Sequence, residues 1–183
     1  MHVNWKLLML IFIVLNEVFL IISRKRRKKY KDVKHKKNIA TGDSVLLKMQ
    51  SFQEPYKAAK IIAYLRKIHP NVFEELLLTA YHNKGYEVIR NQSYSGDGGV
   101  DGRILTEDKK LILIQAKRYK NLINKKHLED FLLAIQNQNA YKGFFIHTGR
   151  TSKSNLSGFR NSNIEIISGR KLIELIMHEK GEK

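Results

Sequence analysis

A mixed α/β layer fold, with a central mixed β-sheet flanked by helices, is predicted by three features of the sequence. Apolar residues recur at helical spacing in several separate segments. Leu111 to Ala116 and Gly143 to Thr148 are nearly continuous apolar runs, the pattern of strands buried on both faces. In chain order the segments read helix, three strands, helix, strand, an αβββαβ core.

Tyr56 to His69 places Ala58, Ala59, Ile61, Ile62, Leu65 and Ile68 at helical spacing, and Pro70 is expected to stop that helix. A second helix is expected after Asn71, a favourable N-cap with Glu74 in the capping-box position. Phe73, Leu76, Leu77, Ala80 and Tyr81 form its buried stripe, and Gly85 ends it. Strands follow at Tyr86–Ile89 and, after a glycine-rich turn, at Val100–Leu105. The polar stretch Glu107-Asp108-Lys109-Lys110 reads as a hairpin turn into Leu111–Ala116. Lys125–Gln138 returns to helix, with Leu128, Phe131, Leu132 and Ile135 on one side. Gly143–Thr148 and Ile164–Ile167 are the last strands and Lys171–Met177 a closing helix.

The N-terminus is of another kind. Leu7 to Ile22 is apolar except for Asn16 and Glu17. Its sixteen residues span roughly 24 Å as a helix, and Trp5, Lys6 and Arg24 can reach the interfaces of a bilayer. Charge behind the run and a poor cleavage site argue against a signal peptide. A single transmembrane anchor is expected, with Asn16 and Glu17 available for contacts between two anchors. Ten Lys or Arg lie between Arg24 and Lys37 against one acid, Asp32. The positive-inside rule then puts the C-terminal body in the cytoplasm of a bacterial cell, with membrane lipids contacted through residues 5–37. A DNA-binding arm is the other use of this basic stretch. The expected organisation is an anchor over 1–23, a basic juxtamembrane segment and linker over 24–55, a connecting helix over 56–70 and a catalytic domain over 71–183.

The formal charge is +17; removing the +9 of residues 24–37 leaves +8 on the rest. The body is basic in its own right, which favours a polyanionic partner. Cysteine is absent, which excludes a disulfide framework, a thiolate nucleophile and a cysteine zinc site.

Chemistry concentrates in Gly96-Asp97-Gly98-Gly99-Val100-Asp101-Gly102 and Ile114-Gln115-Ala116-Lys117-Arg118-Tyr119. Gln115 and Lys117 are two apart on one strand and share a face, and a hairpin would bring Asp101 to the same end of the sheet. A carboxylate, a neutral oxygen and an ammonium suit phosphodiester hydrolysis: Asp101 would hold Mg²⁺, and Lys117 would orient a water or stabilise charge on the phosphate. Asp97 reads as a turn former and His147 as a satisfied structural histidine. Arg118, Tyr119 and Lys120 are candidates for contact with phosphate or base.

These residues resemble the catalytic core of the Mrr-like restriction endonucleases, within the PD-(D/E)xK nuclease superfamily. Phe73-Glu74 with Gly85-Tyr86 is similar to that family's opening helix and strand. Gly143–Thr148, Thr151-Ser152 and Ser168-Gly169-Arg170-Lys171-Leu172 are similar to its closing elements. The likeness covers about 72 to 177. It implies a restriction-endonuclease-like fold and metal binding by Asp101, by Gln115 in place of the usual acid, and by the Ala116 carbonyl. Lys117 would be the catalytic lysine and Glu74 a further carboxylate; Mg²⁺, with Mn²⁺ as substitute, would be the cofactor. The function so implied is cleavage of DNA, in restriction of foreign DNA at the membrane, by a possible homodimer. The alternatives are a catalytically silent nuclease fold that binds DNA or tethers a complex, and a repair or recombination nuclease.

Overall fold

A computed structural model describes residues 5–54, 56–91, 94 and 99–177. Asp97, with Gly96 and Gly98, lies outside the described residues. The chain divides into two units, Met1–Lys37 and Asn38–Lys183.

Helix α1 (Trp5–Gln50) carries the apolar run and the basic stretch. Among the described residues, no helix is long and apolar enough to cross a membrane. This corrects the expectation of a single-pass anchor, and with it the cell-membrane location and the cytoplasmic orientation. The apolar run has sixteen residues where a span needs about twenty, it is interrupted by Asn16 and Glu17, and ten cations follow it in the same helix. Residues 38–50 also depart from expectation. They continue α1 instead of forming a linker, because Val45, Leu46 and Met49 are buried in the core of the second unit.

Within that unit follow α2 (Lys57–Leu65) and α3 (Pro70–Asn83), then β1 (Glu87–Arg90), β2 (Gly102–Leu105) and β3 (Leu111–Lys117). After these come α4 (Lys125–Asn137), β4 (Lys142–His147), α5 (Lys153–Gly158), β5 (Ile164–Ile167) and α6 (Arg170–Met177). Pro70 starts α3 and does not end α2. Its fixed φ suits the first helical turn, and the His69 ring, not Asn71, caps the helix by accepting from Asn71 N–H. Glu74 is therefore not in a capping box.

The five strands lie in the order β1-β2-β3-β4-β5, the first three antiparallel and the last three parallel. The hairpin at 107–110 closes β2 onto β3 with Lys109 at φ 58°. Pleating divides β3 between two cores. Ile112, Ile114 and Ala116 join Ile104, Phe144 and Ile146 under α1, α2, α3 and α6, while Leu113 joins Phe145 under Leu128, Phe131 and Ile135 of α4. The mixed sheet flanked by helices is the expected fold class. Burial of more than twenty apolar side chains on one face and ten on the other, at roughly 25 cal/mol per Å², dominates its stability.

Candidate active site

The candidate residues meet where β2 begins and β3 and β4 end. Asp101 stands one residue before β2; its N–H donates to Ile114 O (2.8 Å), and its Oδ2 accepts from Ala116 N–H (2.7 Å). The carboxylate is thus fastened to the backbone of β3 between Gln115 and Lys117. The strand pleat puts Gln115 and Lys117 on one face.

Gln115 is buried. Its Nε2 donates to Gly99 O (2.6 Å), and among the described residues its Oε1 has no hydrogen-bond partner. A buried carbonyl oxygen left unpaired costs roughly 1–3 kcal/mol, so one beside a carboxylate needs a reason. Hard oxygens are what a divalent cation of the Mg²⁺ kind takes, and Asp101, Gln115 Oε1 and the Ala116 carbonyl are such a set. Among the described residues no group of three or more His, Cys, Asp or Glu could hold a metal ion, so neutral oxygens would have to complete the shell.

Three contacts hold the segment that delivers Asp101. Gln115 takes Gly99 O, Asn91 Nδ2 donates to Val100 O (2.6 Å), and Val100 itself is buried under α4. Arg103 in turn donates to Asn91 Oδ1 (2.6 Å) and to Gln138 Oε1 (3.0 Å). Gly99 is required twice over: its φ is +80°, and a Cβ would lie 2.7 Å from Gln115 Nε2.

Lys117 pairs in register with His147 on the neighbouring strand, and it is half-buried. His147 is fully buried. Gly149 N–H donates to its Nδ1 (3.2 Å), which leaves Nε2–H for Thr151 Oγ1 (3.0 Å), and burial pushes its pKa down to about 4. The imidazole is neutral and structurally satisfied, as expected.

The three residues after Lys117 do different things. Arg118 turns inward and donates to the carbonyls of Ile68 and Arg66, while Arg66 donates to Thr148 O (3.0 and 2.6 Å). The two arginines staple the α2–α3 junction to the ends of β3 and β4, which commits Arg118 to the protein interior rather than to DNA. Tyr119 hydrogen-bonds His127 Nδ1 through its hydroxyl and meets His147 edge-on at 6.3 Å; burial raises its pKa. Lys120 is exposed.

On α3, Glu74 is half-buried and Glu75 is the buried acid. Glu75 pairs with Arg90 Nε (2.9 Å) and accepts from the Tyr94 hydroxyl (3.0 Å). Arg90 also donates to Thr79 Oγ1 (3.1 Å), and Thr79 donates to Asp43 Oδ1 of α1 (3.1 Å). Sequence reasoning passed over Asn91, Glu75 and Arg90. The signal for Glu75 was its helical position, three residues after Val72 and three before Leu78, inside the buried stripe.

Comparison with known proteins gives the family of the domain that carries these residues. A family model described as restriction endonuclease, for the Mrr-type catalytic domain, matches residues 65–176, which include every residue from Glu74 to Lys120 named above. The chain belongs to this family. It carries a restriction endonuclease catalytic domain over those residues. The chain is 28% identical over 131 residues to the type IV methyl-directed restriction enzyme EcoKMrr of Escherichia coli (strain K12). That match takes in 67% of this chain and 43% of the relative, so the chain corresponds to less than half of the protein it resembles. The MspJI restriction endonuclease, in a structure with a 27-mer oligonucleotide, shares the fold at a TM-score of 0.53 and 20% identity, over 72% of this chain and 34% of that one.

Proposed function

We propose that the endonuclease hydrolyses DNA phosphodiester bonds at a divalent-metal site built from Asp101, Gln115 and the Ala116 carbonyl, with Lys117 as the catalytic lysine. The observation that carries this is the Asp101 carboxylate fastened to Ala116 N–H, the residue after Gln115, whose buried Oε1 has no hydrogen-bond partner among the described residues. When bound, Mg²⁺ would polarise the scissile phosphate and acidify a water. Asp101 and Gln115 hold and orient. Ala116 N–H fixes the carboxylate that faces the phosphate, and the contacts on Gly99 and Val100 keep Asp101 from swinging away. Lys117 supplies an ammonium for the charge that grows on the non-bridging phosphate oxygens as water adds and the leaving oxygen departs. Neutral His147 packs beside it and adds no charge. Glu74 on α3 is a further carboxylate for the site.

The biological role that fits is restriction of foreign DNA. Its support is the family itself and the curated relative, a type IV restriction enzyme by name. A second reading, a silent nuclease fold that only binds DNA, draws on the amide at Gln115 and the sparse acid set.

Plasmid relaxation by the full chain separates the two. With Mg²⁺, supercoiled plasmid is expected to go to nicked and then linear form, and Lys117→Ala to slow this by about 100- to 1,000-fold. Equal, absent activity in the two proteins would favour the binding module, and equal, retained activity would remove Lys117 from the mechanism.

A further inference from the structure

The basic stretch of α1 stands outside the residues that match the endonuclease family. From Arg24 to Lys37 it is helical throughout, and each of its ten Lys and Arg side chains is exposed. Fourteen residues at 1.5 Å each make a rod of about 21 Å.

The charge pattern works against the helix that carries it. Six pairs of cations are spaced i,i+3 (24–27, 25–28, 26–29, 28–31, 31–34, 34–37) and three are spaced i,i+4 (24–28, 25–29, 27–31), with Asp32 alone to offset them. Like charges at these spacings disfavour a helix, and only a polyanion along its length relieves all of them together.

The arrangement around the axis identifies the polyanion. At 100° per residue the ten cations fall at every azimuth, with no gap wider than about 60°. A helix that lies on a lipid surface needs one apolar face, and this segment has none; its two large hydrophobic side chains, Tyr30 and Val33, are 70% and 59% exposed. A helix cationic on all sides suits a groove with phosphates on both walls. The major groove of duplex DNA is such a groove, about 12 Å wide, and it admits a helix.

We infer that residues 24–37 form a duplex-binding arm that holds DNA through its phosphates, without reading sequence, for the endonuclease to which they are joined. The inference builds on the DNA-cleaving reading and adds a second binding element to it.

The test uses the full chain and a variant with Lys28→Gln, Lys29→Gln, Lys31→Gln, Lys34→Gln and Lys36→Gln. Glutamine keeps the helix propensity, and none of the five residues belongs to the catalytic site. Binding to a fluorescent 30-base-pair duplex of arbitrary sequence is followed against salt concentration in metal-free buffer. The arm predicts a Kd at least about tenfold weaker for the variant at physiological salt. It also predicts a log–log salt slope shallower by about four, since each phosphate that a lysine no longer neutralises removes about 0.9 from the slope. At saturating plasmid, kcat should stay within about twofold of the parent, with kcat/KM down by at least about tenfold. An unchanged Kd and slope overturn the arm. So does unchanged duplex binding together with weakened binding to phosphatidylserine-containing vesicles, which would make the partner a lipid surface. A chain that cuts no plasmid, yet binds duplex more weakly with these substitutions, keeps the arm and refutes the cleavage mechanism.

Discussion

Gly99 and His147 illustrate how single positions govern the candidate site. Alanine at Gly99 would have to hold φ +80° and place its Cβ against the Gln115 amide. Gly99→Ala is predicted to lower plasmid cleavage by at least about tenfold through displacement of Gln115 and Asp101, with circular dichroism unchanged. His147 makes a different prediction, about pH. Its folded pKa, about 4, lies below the usual 6.5, so the folded state resists a proton that the unfolded chain accepts. That stability is complete above pH 6.5 and drains as pH falls towards 4. Between pH 7.5 and 5 the loss should be about 2 kcal/mol. Urea unfolding at the two pH values checks it, since His147→Gln should remove that part of the drop. The juxtaposition of Asp101, Gln115 and Lys117 was legible in the sequence because two of them share one strand face and the third is one hairpin away. Arg118 was not, because an arginine beside a catalytic lysine reads as a phosphate contact, and only the fold brings the Ile68 and Arg66 carbonyls to it.

At the scale of elements, the relay from Asp43 through Thr79, Arg90 and Glu75 to Tyr94 joins α1, α3, β1 and the segment before Asp101. Glu75 is buried and Arg90 only partly exposed, so removing one partner leaves a charge without its counterion. Glu75→Ala is predicted to cost about 3–5 kcal/mol in urea unfolding, and Arg90→Met with Glu75→Met less than the sum of the single changes. A purely additive double variant would mean that the pair contributes no coupling. Helix α1 reaches α3 at Gly42, where a Cβ would meet Leu76 N at 3.1 Å, a close approach for which a glycine is suited. Thr41-Gly42-Asp43-Ser44 looks like a loop when read locally, which is why the helix over 38–50 was illegible: its reason is the tertiary burial of Val45, Leu46 and Met49. Strand β3 was legible because an apolar run buried on both faces leaves little else to form. Helix α5, six residues started by the Ser152 cap, has too few apolar positions to show a period.

The whole molecule combines a restriction endonuclease catalytic domain, whose core spans both faces of one sheet, with a helix that carries a concentrated run of cations. Composition points to a polyanionic partner, which is the DNA of the proposed function. It misdirected on the membrane, since an apolar run next to a basic run is also what an anchor looks like, and the described helices contain no span. The proposed chemistry rests on a cation held among Asp101, Gln115 and Ala116. The most direct measurement is anomalous diffraction from crystals of the endonuclease soaked in Mn²⁺. One peak within about 2.5 Å of an Asp101 carboxylate oxygen and of Gln115 Oε1 is the predicted result. Mn²⁺ bound elsewhere, with that position empty at saturating metal, would contradict it.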